Sequence, residues 1–260
     1  MKIVQPKVFL VGETKVIDEG LRAYLDYVGA PEWTSDAPSD PELLVEVMGR
    51  LCYRSFKPGL NPNVTKIREH SSDYLANVIR VKHGSVIEHS MVNFIFADVS
   101  RVFTHELVRH RAGTAISQES LRFVRLTDIN LWLHSVIMEN EEAMTIMVRS
   151  VKYLERIQRQ LTKVLAIETT PDFKKKKVAT SAIRRVAPDG LATSIGWSAN
   201  MRALRHLIEM RTAPDAEEEI RLVFGRVAAI MHERYPNLFA DYTVEIVDGL
   251  PWWKTEHRKV

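Results

Sequence analysis

The chain of 260 residues has a single cysteine, Cys52. That excludes an intrachain disulfide and any multi-cysteine zinc site, and it fits a reducing cytoplasm. No stretch reaches the ~20 consecutive apolar residues of a membrane span. Met1-Lys2-Ile3-Val4-Gln5-Pro6 lacks the apolar run of a secretory signal. A cytoplasmic protein with no membrane partner is therefore expected. There is no Gly-x-Gly-x-x-Gly and no Walker loop, so any dinucleotide is bound by other means. No Gly-x-Ser-x-Gly elbow surrounds Ser120, which removes a serine-hydrolase reading. His105 and His110 stand five apart, about 140° around a helix, whereas a zinc-protease pair stands four apart on one face. No metal site is expected. A lone cysteine such as Cys52, in Arg50-Leu51-Cys52-Tyr53, reads as a small buried hydrophobe rather than a nucleophile. No repeat, low-complexity tract or linker divides the sequence, so residues 1–260 are read as one domain.

What is present is ordinary for a globular protein: 45% hydrophobic and 27% charged residues, with a net charge of +3. That balance does not call for nucleic acid, but it suits an anionic small substrate. Val8-Phe9-Leu10-Val11, between Pro6 and Gly12, reads as a short buried strand. Helical spacing runs over 16–28 and over 41–50, the latter with a stripe of Leu43, Leu44, Val47 and Met48. Residues 55–65 read as a loop. Ser71-Ser72-Asp73 offers a cap for a helix to about Lys82. Met91 to Val99 alternates as a strand, with Val92, Phe94 and Phe96 on one face. Phe103 to His110 reads as helix and Ser117 to Val124 as extended. Asn140 can cap a long helix to about Ile167, with a stripe of Met144, Met147, Val151, Leu154, Leu161 and Leu165. Lys174 to Lys177 reads as a solvated face. Ser198 can cap a helix over about 199–211, and Pro214 can open another.

Arg109-His110-Arg111 through Ser120-Leu121-Arg122 is the densest chemical stretch. Arginine is a rigid, always-charged fork of donors suited to phosphate and planar oxyanions. The small Ala112, Gly113 and Ala115 allow close backbone approach. Arg-His-Arg alone also fits a helix C-terminus that offsets the macrodipole; the later serine and arginine favour a pocket for a flat anion such as a nucleotide or flavin. On the helix near 200, Asn200, Leu204, Leu207 and Arg211 lie within about 60° of one another. Arg211 therefore shares an apolar face and needs a partner, either a carboxylate or a ligand oxygen.

Three separated segments resemble the flavin-dependent thymidylate synthases. The hallmark of that family is Arg-His-Arg, usually seven residues, then Ser and, two further on, Arg. Here eight residues separate Arg109-His110-Arg111 from Ser120, and Arg122 follows. A His-x-Ser/Thr-x-x-Glu-His turn is matched by His83, Ser85, Glu88 and His89. Arg184 with Pro188, then Asn200, Arg202, His206 and Arg211, match the downstream order. The likeness spans roughly residues 45–235. It implies a mixed α/β fold with an antiparallel-containing sheet and long flanking helices. It also implies a methyltransferase that converts dUMP to dTMP with methylenetetrahydrofolate as carbon donor, FAD as hydride carrier and NADPH as reductant. The same fold with another pyrimidine substrate or one-carbon outcome is the alternative. The resemblance further implies a homotetramer with shared active sites. Ser85, Arg109, His110, Arg111 and Gln118 would hold FAD, with Asn200, Arg202 and His206 from another subunit. Glu106, Arg109, Gln118, Glu119, Ser120, Leu121, Arg122, Arg184 and Arg211 would surround dUMP. Arg211 would be the catalytic group, favouring the N3-deprotonated uracil. Three departures stand out: the hallmark loop is one residue longer, Val86 replaces a common proline, and Glu106 stands where glutamine is frequent.

Overall fold

Polar side chains that accept the free N–H groups of a first turn decide where most helices of this chain begin. The computed structural model describes residues 2–120, 129–258 and 260. The chain opens with β1 (Lys2–Ile3), β2 (Lys7–Glu13) and α1 (Asp18–Val28), which Gly29 ends at φ +77°. Ser39 caps α2 (Asp40–Tyr53), accepting from the Glu42 N–H, with Pro41 in the first turn. Then come α3 (Ser71–Arg80), the short α4 (Gly84–Ile87), the long β3 (Met91–Ser100), α5 (Arg101–Leu107) and β4 (Thr114–Gln118). After β5 (Asn130–Leu131) and α6 (Ser135–Met138), Asn140 caps the 24-residue α7 (Glu141–Val164). Asp172 caps α8 (Phe173–Ile183), a 3-10 turn covers Arg184–Val186, and β6 (Ala192–Asn200) leads into α9 (Met201–Thr212). The chain ends with α10 (Glu218–Arg234), α11 (Pro236–Phe239) and the hairpin β7 (Thr243–Val247) and β8 (Leu250–Lys254).

Four strands form one sheet in the order β2-β3-β6-β4. Its pairings run antiparallel: Asn200 N–H donates to Gly113 O at 2.8 Å, while Glu119 N–H donates to Ser194 O at 3.0 Å. The pair β1-β5 is parallel and β7-β8 antiparallel. Among the described residues, no helix is long and apolar enough to cross a membrane.

Contacts group the chain into two compact units. The first comprises Met1–Phe9, Ile95–His110 and Ile116–Trp197. Ile129, Leu131, Leu133, Val151 and Leu191 pack together in it, and Phe96 meets Phe103 edge-on with ring centroids 5.6 Å apart. Burying such a side chain contributes on the order of 1.5–3 kcal/mol. The second comprises Leu10–Phe94, Arg111–Ala115 and Ser198–Val260. Its small cluster of Leu25, Ala30, Trp33, Val47 and Phe56 sits under α1 and α2. Beside it Arg50 is buried against Glu46 at 2.7 Å and donates to the carbonyls of Ser55 and Arg68.

Several expectations change. Among the described residues β2 is an edge strand rather than a buried one; Phe9 is 47% and Val11 58% exposed, because alternate side chains of the strand share one face and that face meets solvent. Cys52 is exposed, at the open end of α2. The first helical residue of α3 is Ser71, preceded by His70; its N–H is taken not by the local serines but by Asp36 Oδ1 at 2.7 Å. Ser198 lies in β6, and Asn200 caps α9 instead. The following helix starts at Glu218 with Glu217 as its cap, four residues beyond Pro214. α5 stops at Leu107, and α7 stops at Val164, leaving Leu165 exposed. Residues 121–124 of the expected extended segment lie outside the described residues. The buried arginine of α9 is Arg205, 1% exposed, whereas Arg211 is half-buried.

Candidate functional site

Within the second unit, three stretches far apart in sequence meet at the start of α9. Asn200 accepts from Ala203 N–H at 2.8 Å through Oδ1, the cap that fixes its side chain. Its main-chain N–H donates to Gly113 O. Two residues on, Arg202 Nη1 donates to Glu88 Oε1 at 2.5 Å. Glu88 closes α4, which carries the exposed Ser85. His206 is four residues beyond Arg202 and exposed, so the two share one helix face. Arg211 lies in the last turn of α9, where a cation meets the negative end of the helix. Arg111 is exposed in this unit, and among the described residues its guanidinium has no ion pair.

The first unit holds the other expected residues. Glu106 is half-buried on α5, Arg109 exposed just beyond it and His110 half-buried. Gln118 Nε2 donates to Thr104 Oγ1 at 3.1 Å, tying the end of β4 to α5. Glu119 Oε2 accepts from Ser194 N–H at 3.3 Å, next to the half-buried Ser120. Arg184 opens the 3-10 turn and is half-buried. Leu121 and Arg122 lie outside the described residues.

A residue absent from the sequence expectations adds to this set. Arg101 is the first residue of α5, and its main-chain N–H donates to Asp189 O at 2.9 Å. That bond puts it beside the turn that Arg184 begins. Burial, then the neighbouring Arg184 guanidinium, weakens Arg101's hold on its proton, with Asp189 pulling the other way. Among the described residues, neither guanidinium has a hydrogen bond or ion pair from its side chain. Among the described residues, two half-buried like charges without a carboxylate in contact are a combination that suits an anion. The sequence carries one signal for it: a cation in a first turn opposes the helix dipole, and local rules are broken most often at functional sites.

A family model described as thymidylate synthase complementing protein matches residues 35–237. A flavin-dependent thymidylate synthase of Mycobacteroides abscessus is 34% identical over 242 residues, covering 88% of this chain and 91% of its own. The chain belongs to the flavin-dependent thymidylate synthases. Within that family, the Mycobacterium tuberculosis enzyme is 32% identical over 246 residues, with 92% of this chain and 95% of its own covered. Two solved structures share the fold. The UMP/dUMP methylase PolB from Streptomyces cacaoi, bound with 5-Br dUMP, has a TM-score of 0.63 at 15% identity, covering 92% of this chain and 95% of its own. Thymidylate Synthase X from Helicobacter pylori, with FAD and dUMP, has 0.59 at 18%, covering 91% and 98%. The mixed α/β architecture with an antiparallel sheet is thus that of the family.

Proposed function

We propose that the chain is an FAD-dependent thymidylate synthase that methylates dUMP to dTMP, with methylenetetrahydrofolate as carbon donor and NADPH as reductant. The observation that carries this is the meeting of residues 84–88, 113 and 200–202 in one unit, because all three family segments contribute to it. The donor set suits an anionic dinucleotide. Arg111 and Arg202 supply charge, Ser85 a hydroxyl and Asn200 an amide, and charge-assisted bonds to phosphate are strong. FAD, when bound, supplies the redox chemistry that the protein side chains lack. Arg109, His110, Gln118 and His206 complete the cofactor set by family likeness. The purified protein is expected to be yellow and to show a flavin absorption band. A colourless protein that takes up no FAD contradicts the reading.

For dUMP, Arg184 and Arg101 would grip the phosphate, with Glu106, Arg109, Gln118, Glu119, Ser120, Leu121 and Arg122 around the rest of the nucleotide. Arg211 would lie against uracil N3 and stabilise its deprotonated form, making the ring more electron-rich where carbon is added. Arg101→Gln is expected to raise the KM for dUMP about tenfold or more while kcat holds, since a charge-assisted bond made equally in ground and transition states contributes about 1.5–3 kcal/mol. Steady-state kinetics check it, and an unchanged KM removes Arg101 from the phosphate site.

The same reading makes the enzyme a cytoplasmic homotetramer whose sites are completed by a neighbouring copy, with residues 1–260 acting as one domain. Exposed apolar side chains along α7 support association: Ile146 is 58% and Val164 80% exposed.

A further inference from the structure

Gly84 and Gly113 come from the two segments that precede α9, and each lies against a side chain at the start of that helix. A Cβ on Gly84 would stand 2.7 Å from Arg202 Nε and 2.8 Å from its Cζ. The guanidinium therefore rests on a bare Cα. Its Nη1 reaches Glu88 at the other end of the same short helix, so Arg202 is held between two residues of α4's surroundings. A Cβ on Gly113 would stand 2.4 Å from Asn200 Nδ2. Gly113 also accepts from Asn200 N–H, while Asn200 Oδ1 is fixed by the Ala203 N–H. Both ends of the Asn200 amide are thus set, one by the cap and one by the glycine.

The two glycines differ in what the backbone asks of them. Gly113 has φ +69°, a left-handed conformation that favours glycine by itself. It lies in the hallmark loop that is one residue longer than usual. Gly84 has no such φ and opens a helical turn, where alanine has the better propensity. Local structure gives no reason for glycine at 84; the reason is the side chain above it.

We propose that Gly84 and Gly113 are positioning residues, each seating one side chain, Arg202 and Asn200, in the place from which it holds the flavin. The assignment of those two side chains to FAD rests on the function proposed above; the seating itself rests on geometry alone. Any side chain at 84 pushes Arg202 off Glu88, and any side chain at 113 turns the Asn200 amide.

The test is a double-mutant cycle read by FAD affinity. Gly84→Ala is expected to weaken FAD binding at least about tenfold, the size of one charge-assisted contact, while the thermal midpoint stays level or rises. In an Arg202→Ala background the same change is expected to cost nothing further, because the group it displaces is gone. Gly113→Asn, which tolerates the left-handed backbone but carries a Cβ, is the matching probe with Asn200→Ala. Wild-type FAD affinity in Gly84→Ala, or full additivity with Arg202→Ala, overturns the proposal. A crystal structure of Gly84→Ala reads the seat without cofactor: Arg202 away from Glu88 supports it, and an unmoved pair overturns it. Failure of the wild-type protein to take up FAD strikes the function and leaves this crystallographic result to decide the seat.

Discussion

Asp241→Ala is expected to destabilise the fold by about 3–5 kcal/mol, because it leaves a buried guanidinium without its counter-charge. Arg205 Nη1 and Nη2 donate to the two Asp241 oxygens at 2.8 and 2.6 Å, a bidentate pair. The same guanidinium donates to the main-chain oxygens of Val260 and Leu238 and lies 4.9 Å from the Tyr242 ring centroid. Tyr242 in turn donates to Arg205 O at 2.7 Å. The pair thus joins α9 to the segments after α10. A loss of this size is a large share of the about 5–15 kcal/mol that holds a typical domain together. Urea unfolding of the variant checks it, and a midpoint equal to wild type contradicts it.

The same pair sets an acid limit. Burial pushes the Asp241 carboxyl up, but the Arg205 hydrogen bonds and charge outweigh it and hold the carboxyl below its ordinary value. A depressed carboxylate contributes stability that is fully present above the unfolded value of about 3.9 and is lost as pH falls through the folded value. Glu42 runs the other way. Burial raises it despite bonds from Ser39 and Asn237, so protonating it on the way down favours the folded state. The net acid unfolding of wild type is therefore expected below about pH 4, and Asp241→Asn should flatten that limb.

Arg211→Ala is expected to lower turnover by on the order of 10²–10³ while the fold and bound FAD persist. The side chain is half-buried at the end of α9, where its dipole contribution is only about 0.3–1 kcal/mol. Its larger effect would be on the uracil, whose N3 anion loses its cation. Without that charge the ring needs a higher pH to deprotonate, so the pH–rate profile should move upward as well as down in height. Partial rescue by free guanidine supports the assignment. Wild-type turnover in the variant refutes it.

Much of this was legible from residue spacing alone. β3 follows from Val92, Phe94 and Phe96, whose alternation matches a fully buried face. Asn140 announces α7 by its own chemistry, and the buried face of α2 includes Val47, as the stripe requires. β6 was harder. Thr193, Ile195, Trp197 and Ala199 do alternate and are all buried, but small and polar residues between them blur the pattern. α8 has no buried residue, so no apolar stripe marks it; the Asp172 cap bonding Lys174 and Lys175 N–H is its main sign. Asp248-Gly249, both at positive φ, is a hairpin turn between a largely exposed β7 and a half-buried β8.

The candidate site divides in the same way. The family segments around Arg109, Ser85 and Asn200 stand out because rare residue types recur at fixed spacing. Arg101 does not, since its meaning comes from Arg184, more than eighty positions away. Asp36 at the start of α3 and Asp241 beside Arg205 are likewise partners of long range, and no local pattern encodes them.

The most direct test of the account is dTMP formation by the purified protein from dUMP and methylenetetrahydrofolate, with NADPH and with FAD present or removed. dTMP, identified by mass spectrometry, is expected only when FAD and the reductant are both there. Flavin-bound protein that leaves dUMP unchanged, or dTMP formed at full rate after FAD is stripped, would contradict it.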